Sequence, residues 1–549
     1  MAAVLIARLP RRALSRDAQM VVKNSPTGYD AFFATLTQHV GSGNLITDET
    51  ALSPYGKDIY YESNPPIAVV RPGTIEEVCA TVKAVAAAGL CLSARGGGLS
   101  YSAGYLTDRQ DSVTLDMQRL NEIIEINQDD MYVRVQAGVT WNQLNDALEP
   151  LGLRTPFWGT GSGLFATVGG GISQNAINYG SGRYGTLAES VIGLRLIMAN
   201  GEELRTGAWS AEVEPTPFNR YYGPDLTGLF LGDSGALGIK TEAALQLIPR
   251  PEEVRFAAFS FADRKDFAAA TGAVGRLGLV SECFGLDPFF LSERIASTGF
   301  ADDIDKLLGI AKGQSSVLRG MKEAFKVAAA GRRYLKDVGY TLHMSVDGRN
   351  DADADTALES VKNACTEHNG REIEASIPKV MRGTPFPPPI MMLGPNGDRW
   401  VPMHGILPHS LHATLLDDID VFMDANKSVI ERHGLVWGQV SNLIGQSRVL
   451  IEVNLYWKDQ RTDMIESYLD DEFLKTRNTY EPDPTAHAAV GELRKGLANL
   501  FRKRGGTHMQ IGRSYPFLES RMDMAADLLR SLKKTVDPNN LINPGALGL

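Results

Sequence analysis

The sequence predicts an α+β protein with two main domains, because two different patterns follow one another along the chain. Up to about residue 250, short apolar strands alternate with helices and glycine turns, and the proline-containing run 247–251 ends this pattern. Beyond it, a strand at 256–261 is followed by an amphipathic helix at 265–277 and by a helical stretch at 304–334. The predicted segments are an amino-terminal extension (1–26), a first domain (27–250), a second domain (251–500) and a carboxy-terminal segment that returns to the first domain (501–549).

Two glycine-rich runs mark the middle of the first domain, at residues 159–163 and 169–171. Glycine has no Cβ and tolerates positive φ, so backbone N–H groups in such runs can approach a bulky polyanionic or planar ligand closely. Shortly after them, residues 191–198 predict a buried strand, and the Asn-Gly pair within 199–202 predicts a tight two-residue hairpin. The two runs therefore predict a ligand site beside a sheet.

A third glycine run, residues 95–101, follows a short apolar strand at 90–93 and a helical pattern at 75–88. A strand that leads into a glycine loop is a typical phosphate cradle. Neither the GxGxxG fingerprint nor the GxxxxGK[ST] loop, however, stands in the required strand–loop–helix setting. We therefore predict a flavin held by a fold other than the Rossmann fold.

Four sequence landmarks follow one another in the chain. They are residues 66–72 (PIAVVRP), residues 95–101 (RGGGLSY), residues 138–141 (GVTW) with the block 159–207, and residues 537–545 (DPNNLINPG). On these motifs the chain resembles the vanillyl-alcohol oxidase/p-cresol methylhydroxylase family of FAD-linked oxidoreductases over nearly its whole length. The resemblance implies a two-subdomain FAD-binding domain of the p-cresol methylhydroxylase type, plus an α+β cap domain with an antiparallel sheet over the substrate side.

The resemblance also implies which residues lie at FAD. The first glycine loop and the later glycine block are expected to wrap the diphosphate and the flavin ring, and in some relatives a cap histidine holds FAD covalently. The residues expected at the cofactor are Arg95, Gly96, Gly97, Gly98, Leu99, Ser100, Gly161, Ser162, Thr167, Gly169, Gly170, Ser173, Gly238, Ile239, His409 and Asn543.

Three residues are expected to hold a phenolic substrate if the chain follows the phenol-oxidising members of the family. Tyr101 stands just beyond the first glycine run, where such members place a tyrosine that holds the phenolate. Arg513 and Tyr515 fall where those members have a Tyr-Arg pair, although the order is changed here. A fixed cation and a phenol donor suit the charge that develops as hydride leaves. The alternatives are a local structural hydrogen bond for Tyr101, and a carboxylate or flavin phosphate partner for Arg513.

The sequence leaves the catalytic base open. Ala166, Thr167 and Val168 precede Gly169, whereas the oxidase that names the family carries a catalytic aspartate near this position. Threonine cannot replace a carboxylate base. Because a residue near Ala166 is thought to gate oxygen access in this family, oxidase and dehydrogenase activity both stay open.

Three histidines of the second domain, His404, His409 and His412, lie in one short segment. His404 or His409 could attach FAD, or one could act as a general base, since the ordinary histidine pKa near ~6.5 suits proton transfer, or all three could be structural. Leu99 occupies the position where some relatives carry an attachment histidine in the first loop, which closes that route. No carboxylate stands close to the cluster, so no metal site is predicted.

Two other segments are candidates for the substrate side. Alternation in residues 448–456 predicts a strand with Glu452, Asn454 and Tyr456 on one side, which lines either the cap face above the flavin or a solvent-facing sheet surface. The proline- and glycine-rich stretch 385–397 is irregular, and such loops often carry function.

Composition limits the possible partners. The formal charge of −10 and the pI near 5.5 argue against nucleic acid or an anionic membrane surface, because phosphate binding needs clustered Lys and Arg. The four cysteines show no CxxC spacing, so we predict neither a zinc site nor a disulfide framework, and we expect a reducing, cytoplasmic location. No run reaches the ~18 apolar residues that span a bilayer. The expected partners are a small aromatic substrate and an electron acceptor, either O2 or a redox partner, and a homo-oligomer is left open.

From these observations we expect an FAD-dependent oxidoreductase that transfers hydride from a phenolic or aromatic alcohol, such as a lignin-derived compound, to the flavin. The alternative is an FAD-linked dehydrogenase of a 2-hydroxy acid or a sugar-type alcohol. Related 2-hydroxy-acid dehydrogenases often carry a glycine-aspartate-glycine-asparagine-histidine string, which residues 441–457 lack. That absence disfavours the alternative without excluding it.

Overall fold

The computed structural model describes residues 28–213, 215–291 and 339–549. The amino-terminal extension 1–26 and the helical stretch predicted at 304–334 lie outside the described residues. The α-helices are α1 (Asp30–Val40), α2 (Glu49–Leu52), α3 (Ile75–Ala87), α4 (Trp141–Leu148), α5 (Val168–Gln174), α6 (Ser181–Tyr184), α7 (Arg264–Leu277), α8 (Asp351–Thr366), α9 (Ser376–Gly383), α10 (His412–Ala425), α11 (Lys427–Arg432), α12 (Asp463–Glu466), α13 (Asp471–Lys475), α14 (Pro484–Lys503) and α15 (Asp523–Val536). The strands are β1 (Leu45–Ile46), β2 (Ala68–Val70), β3 (Cys91–Arg95), β4 (Ser112–Asp116), β5 (Ile123–Asn127), β6 (Tyr132–Gln136), β7 (Leu153–Arg154), β8 (Val191–Ile197), β9 (Glu203–Arg205), β10 (Ile239–Gln246), β11 (Ile248–Pro249), β12 (Glu253–Phe261), β13 (Val280–Leu286), β14 (Tyr340–Gly348), β15 (Arg371–Ile373), β16 (Arg399–Pro408), β17 (Val436–Ile444) and β18 (Arg448–Trp457).

A four-stranded sheet in the order β1-β2-β4-β3 opens the first domain. β1 is antiparallel to β2, whereas β2 and β3 both run parallel to β4, and α3 makes the crossover between β2 and β3. This helix begins after Thr74, whose hydroxyl accepts the N–H of Glu77, and its apolar positions Val78 and Val82 are buried at helical spacing. β3 then leads the chain directly into the glycine loop at 95–101.

A second sheet, with five antiparallel strands in the order β5-β6-β10-β8-β9, completes the first domain. The buried strand predicted at 191–198 is β8. The hairpin that follows is longer than predicted, because the N–H of Met198 donates to the carbonyl of Glu202 at 2.9 Å and leaves three residues in the loop. Gly201 has φ of 74°, the left-handed conformation that three-residue hairpins need. The two-residue prediction is therefore wrong.

The second domain is built on a seven-stranded antiparallel sheet in the order β15-β12-β14-β13-β17-β18-β16. Side chains alternate along each strand, and one face is apolar: Leu342, Val401 and Val453 are fully buried there. Helices cover this face, as where Phe501 of α14 packs against Gly405 of β16. Each such buried side chain contributes about 1.5–3 kcal/mol. The other face contacts α9, through Ile377 and Met381, and the first domain.

The carboxy-terminal segment is bonded to the first domain. The N–H of Leu92 in β3 donates to the carbonyl of Leu541 at 2.8 Å, and the N–H of Asn543 donates to the carbonyl of Leu92 at 2.7 Å. Because α14 extends to Lys503, the boundary predicted after residue 500 falls inside a helix. Within the described ranges, no helix is both long enough and apolar enough to cross a bilayer.

Candidate active site

Two glycine loops of the first domain lie against each other. A Cβ on Gly97 would stand 2.1 Å from the carbonyl oxygen of Phe165, and a Cβ on Gly96 would stand 2.3 Å from the hydroxyl oxygen of Thr167. No larger residue fits at either position without parting the loops. The loop after β3 and the loop before α5 therefore form one cradle of closely approached backbone.

Arg95 supports this cradle from within the protein. Its side chain is buried, its guanidinium carbon lies 4.8 Å from the centre of the Tyr55 ring, and one Nη donates to the Tyr468 hydroxyl at 3.0 Å. That hydroxyl donates in turn to the carbonyl of Gly97 at 2.5 Å. Arg95 and Tyr468 together hold the shape of the first loop and tie it to the second domain.

Other residues expected at FAD lie around the cradle. The Thr167 hydroxyl accepts the N–H of Gly170 at 3.3 Å, so Gly169 and Gly170 form the first turn of α5. Ser173 lies in the same helix, where its carbonyl accepts the N–H of Ser234 at 2.8 Å. Gly98, Leu99 and Ser100 continue the first loop, Gly161 and Ser162 belong to the loop before α5, and Gly238 and Ile239 stand at the start of β10.

The irregular stretch at 385–397 closes onto the glycine run at 159–163. The ring of Phe386 packs so closely that a Cβ on Gly159 or on Gly163 would stand 2.6 or 2.4 Å from it. The same ring meets Trp158 edge-on, with 6.0 Å between the ring centres. This part of the second domain therefore covers the cradle.

Arg513 does not face the substrate side, contrary to the expectation from the sequence. Its Nη atoms donate to the carbonyls of Ala103 and Pro544, at 2.8 and 2.6 Å, and to the side-chain oxygen of Asn543 at 2.9 Å. Asn543 donates in turn to the carbonyl of Gly104 at 2.7 Å. Burial lowers the pKa of Arg513 to about 10. The guanidinium is occupied by these three acceptors, so Arg513 and Asn543 clamp the carboxy-terminal tail to the first domain.

Glu452 and His404 stand side by side on the face of the cap sheet opposite the one that α14 covers. They are register partners on the neighbouring strands β18 and β16, so their side chains share that face. Asn454 lies two residues further along β18, and its side-chain oxygen accepts the indole N–H of Trp400 at 2.6 Å. Asn454 is 2% exposed, so this face is covered by protein, and the alternative of a solvent-facing surface is wrong.

Tyr101 reaches this face from the first glycine loop. Its ring centre lies 6.4 Å from that of His404, with the rings nearly perpendicular. Burial raises the pKa of the Tyr101 hydroxyl well above its ordinary value, and Glu452 and Tyr515 raise it further, while a hydrogen bond with Gln510 lowers it. Tyr101 therefore keeps its proton and can donate a hydrogen bond within the cluster.

His404 is completely buried and neutral at ordinary pH. Its ring stacks on Tyr515, with 5.0 Å between the ring centres, and its main-chain N–H donates to the Tyr515 hydroxyl at 3.0 Å. Burial lowers the pKa of His404 to about 3, and His508 and Arg494 lower it further. Neither ring nitrogen has a hydrogen-bond partner in the described part of the chain. The structure thus brings Tyr101, Tyr515 and His404 together, whereas the sequence analysis grouped Tyr101 and Tyr515 with Arg513, and His404 can still bond to a bound group.

His409 and His412 lie on the opposite, helix-covered side of the sheet, because β16 ends at Pro408 and the chain turns over the sheet edge. The Nε2 of His409 donates to the carbonyl of Gln446 at 3.2 Å, and that of His412 bonds to the Ser441 hydroxyl at 3.0 Å. The three histidines therefore do not converge. The sequence analysis placed His409 at the FAD cradle, whereas the structure places it away from the cradle. Residues 28–213, 215–291 and 339–549 contain no group of three or more His, Cys, Asp or Glu that could hold a metal ion.

Glu452 is the titratable carboxyl of this cluster, which the sequence analysis named only as part of a strand face. Burial raises the pKa of its carboxyl to about 7, and a hydrogen bond with Asn454 opposes that rise. A carboxyl that titrates near neutral pH can both take up and return a proton. The sequence feature that could have indicated this role is a single acidic residue in a strand where apolar and polar residues alternate.

Arg494 is a residue that the sequence analysis missed. It lies on α14 among the buried positions Val490, Leu493 and Leu497, and is itself 3% exposed. One Nη donates to the main-chain carbonyl of Tyr101 at 3.0 Å. The available signal was an arginine within the apolar stripe of an amphipathic helix.

Comparison with known sequences identifies the cofactor domain. Residues 66–207 match the family described as FAD binding domain. The chain is 30% identical over 252 residues to an uncharacterized FAD-linked oxidoreductase of Mycobacterium tuberculosis, covering 45% of this chain and 52% of that protein. It is 28% identical over 271 residues to the mitochondrial D-lactate dehydrogenase (cytochrome) 1 of Saccharomyces cerevisiae, covering 48% and 42%. It is 32% identical over 203 residues to the glycolate oxidase subunit GlcD of Bacillus subtilis, covering 36% and 41%. The chain thus spans about half the length of these curated relatives, or less.

Two solved structures share the fold over nearly the whole chain. p-Cresol methylhydroxylase with substrate bound superposes with a TM-score of 0.71 at 17% identity, covering 96% of this chain and 98% of that one. The 4-ethylphenol oxidase from Gulosibacter chungangensis, as an isoeugenol complex, superposes with a TM-score of 0.68 at 17% identity, covering 95% and 98%. The predicted fold class is therefore confirmed, whereas these identities do not show membership of the vanillyl-alcohol oxidase family. A Cβ at Gly96 or Gly97 would strike the facing loop, so these glycines allow the close approach of two loops within the region that matches the FAD-binding family. Residues 66–207 form an FAD-binding domain, and the chain has the fold of the p-cresol methylhydroxylase-type flavoproteins.

Proposed function

We propose that this protein is an FAD-linked oxidoreductase that removes a hydride and a proton from an alcohol. The observation that carries the proposal is the cluster of Tyr101, His404 and Glu452 between the cap sheet and the first glycine loop. Tyr101 continues the loop that forms the FAD cradle, so the cluster and the cofactor share one segment of chain. FAD, when bound there, would accept the hydride from the substrate carbon.

Glu452 is the proposed base for the alcohol proton. With its pKa raised to about 7, the carboxyl is partly ionised at neutral pH and can accept the proton of the substrate hydroxyl. Tyr101 and Tyr515 keep their protons, since burial raises the pKa of both hydroxyls, and they can donate hydrogen bonds to a substrate oxygen. His404, with two unpartnered ring nitrogens, supplies a further donor and acceptor.

Among the candidate substrate classes, the sequence comparisons support a 2-hydroxy acid better than a phenol, and they name no enzyme that acts on a sugar-type alcohol. The D-lactate dehydrogenase and the glycolate oxidase subunit match this chain by sequence. A phenolic alcohol is the second candidate. It is favoured by the aromatic side chains of Tyr101, Trp400 and Tyr515 around the cluster.

Turnover with an artificial electron-acceptor dye separates the two classes. We expect kcat/KM to be higher for D-2-hydroxy acids than for para-hydroxylated benzylic alcohols. Turnover of the phenols alone would replace the first candidate with the second, and turnover of neither class would contradict the proposed activity. The natural acceptor, the cytoplasmic location and an oligomeric state remain predictions from the sequence.

Covalent attachment of FAD is a separate question, which concerns His404. Its ring nitrogens are free and lie in the same cluster as Tyr101, whereas His409 lies across the sheet. Acid precipitation of the holoprotein tests the attachment. Flavin colour that stays with the precipitated parent protein but not with precipitated His404→Ala would support a covalent bond at His404. Flavin colour released into solution from the parent would contradict covalent attachment.

A further inference from the structure

The side chain of Arg494 is a buried cation held between aromatic rings. It is 3% exposed, and its guanidinium carbon lies 4.2 Å from the centre of the Tyr60 ring and 5.2 Å from that of Tyr61. Aromatic faces attract a cation, especially where water is excluded. They accept no full hydrogen bonds from its five N–H groups, so the guanidinium needs other acceptors.

Most of the hydrogen-bonding capacity of Arg494 is unused. One Nη donates to the carbonyl of Tyr101 at 3.0 Å, and the side chain of Tyr60 is a further hydrogen-bond partner, while Nε and the other Nη have no acceptor at hydrogen-bond distance in the described part of the chain. Asp58, the carboxylate that acts on Arg494 at longer range, accepts instead from the N–H groups of Tyr60, Tyr61 and Ala103. A buried charge without a close partner is costly, and that cost falls when a negative charge comes near.

Arg513, the arginine that the sequence analysis assigned to the substrate, shows the opposite arrangement. Its guanidinium donates to three acceptors in the carboxy-terminal tail and the 103–104 loop. Its bonds are satisfied without any ligand. The two arginines therefore differ in their hydrogen bonds: Arg513 donates to three neutral oxygens of the protein, whereas two nitrogens of Arg494 have no acceptor in the described part of the chain.

The charge of Arg494 acts on the cluster proposed as the substrate site. Burial raises the pKa of the Tyr101 and Tyr515 hydroxyls, and the positive charge of Arg494 opposes that rise in both. His404 and His508 are neutral at ordinary pH, because burial lowers their pKa values to about 3 and about 4. Arg494 is therefore the cation that acts on the cluster, and Glu452, which raises the pKa of both hydroxyls further, acts in the opposite sense.

We infer that Arg494 is a positioning residue that makes this site prefer a substrate with an anionic oxygen. Its hydrogen bond fixes the main chain of Tyr101, and its charge stabilises a negative oxygen that accepts hydrogen bonds from Tyr101 and Tyr515. The inference rests on the proposed function in one respect, namely that this cluster is the substrate site. It extends to both candidate substrates, since a 2-hydroxy acid carries a carboxylate and a phenol can ionise.

Binding of benzoate and of its neutral analogue benzamide to the holoprotein, measured by calorimetry, tests the inference. Arg494→Gln removes the charge but keeps a donor for the Tyr101 carbonyl, whereas Arg494→Lys keeps the charge and changes the donor geometry. Arg513→Met is the matched control. We expect the parent to bind benzoate about tenfold more tightly than benzamide, a difference of ~1.4 kcal/mol. Arg494→Gln should lose this preference, and Arg494→Lys and Arg513→Met should keep it.

Several outcomes would overturn the inference. The first is a parent protein that binds benzoate no more tightly than benzamide. The second is an Arg494→Gln variant that still prefers benzoate. The third is an Arg494→Lys variant that folds and binds FAD but no longer prefers benzoate. If Arg494→Gln does not fold, Arg494→Lys still tests the inference. A benzoate preference that survives in Arg494→Lys depends on the charge, and one that is lost depends on the geometry of the guanidinium. Binding needs no turnover, so a protein that oxidises no alcohol can still show the preference, and failure of the proposed activity is seen separately.

Discussion

Replacing Glu452 with glutamine keeps the size of the side chain and removes the group proposed to take the alcohol proton. With a pKa of about 7, the ionised fraction of this carboxyl rises from about a tenth at pH ~6 to about nine tenths at pH ~8. The rate of flavin reduction should therefore rise about tenfold over that interval in the parent. Because general-base catalysis contributes about 10²–10⁴-fold, Glu452→Gln should lose a factor of that size together with the pH dependence.

The assay is the rate of anaerobic reduction of the bound flavin in a single turnover, so that reoxidation does not limit it. Glu431→Gln is the matched control, since that glutamate lies on a cap helix with a 67% exposed side chain. It should reduce its flavin at the parent rate at every pH. If Glu452→Gln keeps either the parent rate or the rise with pH, Glu452 is not the base.

Three other substitutions test the site and its frame. Gly97→Ala places a Cβ 2.1 Å from the facing carbonyl and should lower the FAD content of the purified protein. Gly43→Ala, with no atom within 4 Å of its Cβ, is the control and should leave the FAD content unchanged. Equal FAD content in the two variants would show that close packing at Gly97 is not needed for FAD binding. Asp347→Asn removes a buried carboxylate that pairs with Arg154 of the first domain at 2.6 Å and with Arg382 of the second domain at 2.9 Å, and should cost about 3–5 kcal/mol of unfolding free energy. An unchanged Tm would show that the Asp347 ion pairs do not stabilise the protein. Tyr101→Phe should lower kcat/KM for the best substrate by an amount equivalent to about 1.5–3 kcal/mol, and unchanged kinetics would place Tyr101 outside the site.

Patterns that depend on neighbouring residues were predictable from the sequence. The alternation around Glu452 marks both the extent of β18 and the face that meets the first domain. The glycine runs mark the cradle because close backbone approach requires glycine whatever the rest of the fold does. The hairpin after β8 is found in the right place, and only its length differs, since Asn-Gly also suits a three-residue loop.

Features that depend on distant segments were not predictable. Arg513 takes its acceptors from the 103–104 loop and from Asn543 and Pro544, and no local pattern indicates that set. His409 leaves the site because β16 ends one residue before it. The raised pKa of Glu452 is a consequence of burial by several elements, so a single sequence shows the carboxyl but not its proton affinity.

The measurement that tests the central claim most directly is the visible spectrum of the purified holoprotein, recorded without oxygen before and after substrate is added. The protein should carry an oxidised-flavin band, and a D-2-hydroxy acid should bleach it by transferring hydride. Bleaching by para-hydroxylated aromatic alcohols alone would keep the oxidoreductase and change its substrate class. A flavin band that neither class bleaches, or a protein that takes up no FAD, would contradict the account.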